Sequence, residues 1–213
     1  KVELFDDGAH GDGAANDSVF ANSIPEQASG TYVRYYIEAI SNDNAQDFGT
    51  VSYLPVGAEH DVFIYRVALE VEDQIDLVIN EIMASNNSTV ADESGEYDDW
   101  VELYNNSSEE IDLTGYYLSD DANNLTKWTF PSMTIGAGEY LTLWLDEDED
   151  QGDNHANFKL AASGEDLLLS NSQMSLINLV TFTEQESDMS LGRSPNGTGD
   201  FQILSPSFGE SNP

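Results

Sequence analysis

Apolar side chains in this sequence recur at every second position in short bursts and never hold the spacing of a helix for more than about two turns. From Thr31 to Ile40, Val33, Tyr35, Ile37 and Ala39 alternate with Tyr32, Arg34, Tyr36 and Glu38. Leu141, Leu143 and Leu145 alternate with Thr142 and Trp144, and Trp100-Val101-Glu102-Leu103-Tyr104 does the same over a shorter span. Neighbouring side chains of a strand point to opposite faces, so this pattern gives each strand one apolar face. Clusters of Gly, Asn, Asp and Ser punctuate the runs, as turns require. The chain is therefore expected to be all-β, with further strands over 17–24, 50–54, 61–69, 77–83, 116–119, 127–130, 166–170 and 178–183.

That many strands suits two sandwiches better than one. Between the run ending at Leu69 and the run Leu77-Val78-Ile79-Asn80-Glu81-Ile82, the segment Glu70-Val71-Glu72-Asp73-Gln74-Ile75-Asp76 carries four acids in seven residues. A boundary is placed there, giving a first domain over 1–75 and a second over 76–213. The first holds fewer strands than the seven of an immunoglobulin-like sandwich and is expected to be incomplete. Lys1-Val2-Glu3-Leu4 has no signal-peptide character, so the sequence reads as a mature segment or a fragment of a longer chain.

Charge limits the partners. Six basic against 41 acidic side chains leave a formal charge of −35. Six cations cannot neutralise a phosphate backbone, so nucleic acid is disfavoured unless metal ions mediate it. Self-repulsion on this scale calls for screening salt or bound divalent cations, conditions that extracellular media supply. With no cysteine there is no disulfide, thiolate metal site or thiol nucleophile. No stretch approaches the ~20 apolar residues that span a bilayer.

The Gly-rich run Asp6-Asp7-Gly8-Ala9-His10-Gly11-Asp12-Gly13-Ala14-Ala15-Asn16-Asp17 places four carboxylates within twelve residues. Two readings compete. Asp6, Asp7, Asp12 and Asp17 form a hard-oxygen set suited to Ca²⁺, or they cap backbone N–H groups in a turn. Asp146-Glu147-Asp148-Glu149-Asp150-Gln151-Gly152-Asp153 and the loop bearing Asp92, Glu93, Glu96, Asp98 and Asp99 are further acidic stretches, read as solvated loop tips that could recruit a divalent ion loosely. Neither follows the EF-hand register. The three histidines His10, His60 and His155 are scattered, with no His-Glu-x-x-His, Gly-x-Ser-x-Gly or Walker pattern, so no catalytic residues are assigned. Glu102 lies in an apolar strand and is expected to accept hydrogen bonds or to pair with a scarce cation, Arg193 or Lys127. Tyr32 and Tyr36 fall on the outward face of their run and form a candidate stacking platform for carbohydrate.

From about Leu77 onward the chain resembles a bacterial lamin tail domain, an immunoglobulin-like β-sandwich also found in nuclear lamins. The segments that carry the resemblance are Val78-Ile79-Asn80-Glu81-Ile82-Met83-Ala84-Ser85-Asn86, Asp99-Trp100-Val101-Glu102-Leu103-Tyr104-Asn105 and Ile111-Asp112-Leu113-Thr114-Gly115-Tyr116-Tyr117-Leu118-Ser119-Asp120. They continue with Lys127-Trp128-Thr129-Phe130-Pro131, Ile135-Gly136-Ala137-Gly138-Glu139-Tyr140-Leu141, Asn157-Phe158-Lys159-Leu160, Gly164-Glu165 and Ser190-Leu191-Gly192-Arg193. The first part, through Phe5-Asp6-Asp7-Gly8-Ala9-His10-Gly11-Asp12-Gly13 and Val33-Arg34-Tyr35-Tyr36-Ile37-Glu38-Ala39, is similar to the immunoglobulin-like segment of secreted proteins with a CotH-kinase-like domain. The resemblance implies a non-catalytic accessory fragment of a secreted or cell-surface protein that spaces, adheres or binds. Its partners would be other domains of the parent chain, polysaccharide or a surface protein. A carbohydrate-binding module is the alternative.

Overall fold

In a computed structural model, residues 1–28, 30–41, 50–58, 60–72 and 76–213 are described. The molecule is nearly all β, and no helix among the described residues is long and apolar enough to cross a membrane. It divides into two compact units, Lys1–Leu69 and Glu70–Pro213. Residues 73–75 of the acidic run at the expected boundary lie outside the described residues.

The first unit contains β1 (Tyr32–Tyr35), β2 (Ile37–Ile40), β3 (Val51–Leu54) and β4 (Phe63–Arg66). β1 pairs antiparallel with β4 and β2 with β3, as two separate two-stranded sheets. The run expected as one strand from Thr31 to Ile40 is thus two, broken at Tyr36, because its halves take different partners. Its expected apolar face is also not buried: Val33 is half-buried, while Tyr35, Ile37 and Ala39 are exposed. The strand expected over 17–24 is reduced to a bridge between Phe5 and Ala21. Asn16 and Ser18 adopt left-handed backbone (φ 63° and 71°), and carboxylates of Asp6 and Asp17 take the N–H groups of Asp17, Ser18 and Val19 that a ladder would need.

The second unit contains β5 (Leu77–Met83), β6 (Asp99–Asn105), β7 (Ile111–Asp112), β8 (Tyr117–Ser119), β9 (Trp128–Thr129) and β10 (Thr134–Ile135). It continues through β11 (Tyr140–Leu145), a 3₁₀ turn at Glu149–Gln151, β12 (His155–Ala156), β13 (Asp166–Ser170), β14 (Leu176–Thr181), β15 (Ser190–Ser194) and β16 (Asp200–Leu204). One sheet runs β12-β11-β6-β5-β15-β16 and another β14-β13-β8-β9, with β10 and β7 paired beside them. Ile79, Ile82, Val101, Leu103, Leu143 and Leu145 of the larger sheet pack with Leu118, Trp128, Leu167, Leu169, Ile177 and Val180 of the smaller in one core. Each such buried side chain contributes about 1.5–3 kcal/mol of transfer free energy.

Period two on β6 sends Val101 and Leu103 into this core and turns Trp100 and Glu102 to the other face. On β5 the register with β6 shifts between Ile79 and Glu81, so Asn80 is a bulge residue. The shift sets Glu81 opposite Glu102 and Met83 opposite Trp100. That second face is covered by residues 205–213. Phe208 packs between the rings of Trp100 and Trp144, 5.2 Å from each centroid. Met83 and Val90 complete the cluster.

Candidate functional site

The Asp6–Asp17 loop folds back on itself, but its carboxylates are turned to the chain's own amides. Asp12, buried, accepts the N–H groups of Asp7, Gly8 (2.8 Å) and His10 (3.2 Å). These donors, Gly8 foremost, hold its carboxyl below the usual range. Asp7 accepts from Ala9 and from the His10 ring, and the His10 contact most strongly lowers it. Asp6 caps Asp17 and Ser18; Asp17 caps Ala14 and Val19. The expected calcium set of Asp6, Asp7, Asp12 and Asp17 is therefore arranged as a turn that satisfies itself. Among the described residues, the groups of three carboxylate or imidazole ligands that converge lie elsewhere.

Tyr32 and Tyr36 are both exposed, at 64% and 51%. The break in the run separates them. Tyr32 lies on β1 with the Arg66 guanidinium 5.6 Å from its ring centroid, whereas Tyr36 meets Tyr53 edge-on at 5.9 Å. Tyr35 stacks with Phe63 and Tyr65 in a further exposed group.

Glu102 is fully buried and does not pair with Arg193. It accepts Asn80 Nδ2 at 2.7 Å and the Gly209 amide at 2.6 Å. Arg193 instead donates to the carbonyls of Ile79 and Gly199 and lies over the Phe201 ring. Lys127, the other expected cation, pairs with Asp120. The expected ion pair fails because the bulge puts an amide side chain beside Glu102, and residues 205–213 bring a backbone donor from the other side. Burial, with Glu81 adding like charge, pushes the Glu102 carboxyl up to about 7 against these two hydrogen bonds. Glu81 accepts Ser190 Oγ, and the N–H and Oγ of Ser207. Asn212 donates to the Asn80 and Arg193 carbonyls. This network clasps residues 205–213 to β5, β6 and β15.

The two acidic stretches that look independent in the sequence meet at one end of the larger sheet. β6 starts and β11 ends there, with Leu145 opposite Asp99. Gln151 accepts from Ser94 Oγ at 2.7 Å and donates to Glu96 at 2.9 Å, tying the loops together. Asp92 uses Oδ1 to accept the amides of Ser94 and Glu96. Its Oδ2 is buried with no hydrogen-bond partner among the described residues. His155, also buried, pairs through Nδ1 with buried Asp146 and presents Nε2 to Glu93 Oε2 at 3.5 Å. Asp92, Glu93 and His155 bring one ligand atom each within 4.8 Å of one another, as do Asp92, Glu96 and Asp98. Desolvation, then the charge of Asp146, raises the Asp98 carboxyl. His155 was not singled out in the sequence because its partners come from loops distant along the chain.

The family model of the conditioned medium factor second immunoglobulin-like domain matches residues 1–48. No curated protein matches the chain. The lamin tail domain model matches residues 70–184, more than half of the chain and most of the second unit, including the strands that carry its core. The chain belongs to the lamin tail domain family.

Proposed function

We propose that this chain is a non-catalytic accessory segment of a secreted or cell-surface bacterial protein, holding neighbouring domains or a surface ligand in place. One observation carries the reading: the buried side chains of Asn80, Glu81, Glu102, Asn105 and Asn212 in the lamin tail unit hold its own chain together. Glu81, Glu102, Asn80 and Asn212 fasten residues 205–213, and Asn105 accepts the Ser107 amide and donates to the Glu109, Ile135 and Gly136 carbonyls. Groups held in this way brace a scaffold. The match of residues 1–48 to a conditioned medium factor domain supports an extracellular setting. Incubation with generic ester, glycoside and phosphate substrates is expected to give no turnover. Turnover that is lost on Glu102→Gln would overturn the proposal.

A second reading is favoured by the exposed rings of Tyr32, Tyr35, Tyr36 and Tyr53 in the first unit. Exposed aromatic groups of this kind suit stacking on sugar faces, so the segment would retain an enzyme on polysaccharide. Retardation on insoluble polysaccharides, weakened by Tyr32→Ala and by Tyr36→Ala, supports it. Passage without delay over a broad panel disposes of it.

A further inference from the structure

The geometry points to a divalent transition-metal site, zinc foremost, formed by Asp92, Glu93 and His155 where the two acidic loops meet, with Asp146 orienting the histidine. Three independent features converge on it. The first is Asp92, 9% exposed, whose Oδ2 is buried without a hydrogen-bond partner among the described residues. An unpaired carboxylate oxygen in that position is costly unless a cation or donor joins it. The second is the orientation of His155. Its Nδ1 faces the buried Asp146 carboxylate, which turns Nε2 toward Glu93 Oε2. A carboxylate behind a histidine is the usual outer support of a metal-bound imidazole, fixing the ring and raising its basicity.

The third feature is spacing. Two ligands on a tetrahedral ion with bonds of about 2.1 Å stand roughly 3.4 Å apart. His155 Nε2 and Glu93 Oε2 are separated by 3.5 Å, and Asp92 contributes a ligand atom within 4.8 Å of those of Glu93 and His155. Two buried ligands and one exposed one leave the ion an entry path, since Glu93 can close from solvent. The imidazole decides the class of ion. Calcium and magnesium take oxygen donors, whereas a mixed nitrogen and carboxylate set suits zinc and its first-row neighbours. Asp92, Glu96 and Asp98 offer an all-oxygen set next door, which makes calcium the competing occupant. Zinc held here would cross-link the β5–β6 loop to β12 and fix the end of the sheet.

The test uses the full chain, stripped with EDTA and dialysed, titrated calorimetrically near neutral pH with Zn²⁺ and with Ca²⁺. The expected result is one equivalent of Zn²⁺, undisturbed by millimolar Ca²⁺. Binding should weaken at least tenfold in Glu93→Gln, vanish in His155→Asn and persist in Glu96→Gln. Glu93 is exposed, so Glu93→Gln keeps the test decisive if His155→Asn fails to fold. Zn²⁺ binding indifferent to Glu93→Gln, Ca²⁺ binding lost in Glu96→Gln but kept in Glu93→Gln, or no binding at all would each overturn the site.

Discussion

Replacing Glu102 by Gln isolates the consequence of burying a carboxylate opposite Glu81. In the folded state burial raises the Glu102 carboxyl from 4.5 to about 7, so between those values the native protein holds a proton that the unfolded chain has released. Stability therefore falls as pH rises through this window and is greatest below it. At about 1.4 kcal/mol per pH unit, the full change is about 3 kcal/mol. Gln carries no charge at either end of the window. It can accept only one of the two hydrogen bonds that Glu102 receives from Asn80 and Gly209, which costs about 1–2 kcal/mol at every pH. The variant should fall about 1–2 kcal/mol below the parent near pH 4.5 and exceed it by about 1–2 kcal/mol at pH 8. Urea unfolding followed by tryptophan fluorescence at a series of pH values measures the difference directly. Asp99, pushed up to about 6 by burial, slopes the same way in both proteins and cancels in the comparison. A stability difference that stays flat from pH 4.5 to 8 would refute the reasoning, because Glu102 would then titrate alike in both states.

Other perturbations test the packing. Phe158→Ala empties a fully buried position in the core and should lose about 3–5 kcal/mol in urea unfolding. At Gly164, with φ +101°, an added Cβ would stand 2.5 Å from the Phe182 carbonyl oxygen and 2.6 Å from Thr183 Cα, so Gly164→Ala should lower stability by roughly 1–3 kcal/mol on the same assay. Deleting residues 205–213 removes Phe208 from between the tryptophans and leaves Glu81 and Glu102 without Ser207 and Gly209. A marked drop in melting temperature and a change in tryptophan emission are expected. Raising ionic strength from 0.01 M to 1 M shortens the Debye length from about 30 to about 3 Å, so a chain of charge −35 should melt several degrees higher in scanning calorimetry.

Strands that face a packed core are legible in the sequence, and so are the exposed β3 and β4, which fall within the expected 50–54 and 61–69. Asp166–Ser170 and Leu77–Met83 coincide with the expected 166–170 and 77–83, since continuous burial leaves an apolar run bounded by turn residues. β15 and β16 lack that signature. Gly192 has no side chain because the Asn212 amide and a Leu204 methyl occupy the space a Cβ would need, and β16 is a sheet edge whose residues are mostly exposed. In the resemblance, Ser190–Arg193 stood out as a segment without its strand being evident. Among candidate site residues, the location of the aspartates in a Gly-rich turn was readable. That their carboxylates face amides was not, because both arrangements use the same residue types. Glu102 was recognisable as a buried acid, but its partners depended on a bulge at Asn80 that leaves no mark in the spacing. The juxtaposition of Glu93 with His155 follows only from β6 and β11 being neighbours in the sheet.

The clasp of residues 205–213 also bears on how the unit is made. Ser207 reaches back to Glu81, and Asn212 to Asn80, across separations of 126 and 132 positions. These are among the longest loops the unit closes, and such closures are slow. During synthesis the first two strands of the sandwich must wait, with Glu81 and Glu102 uncovered, until residues 205–213 emerge. The unit can therefore reach its final state only once residues 205–213 have emerged from the ribosome, and a nascent chain stalled before Ser207 should remain open to proteases.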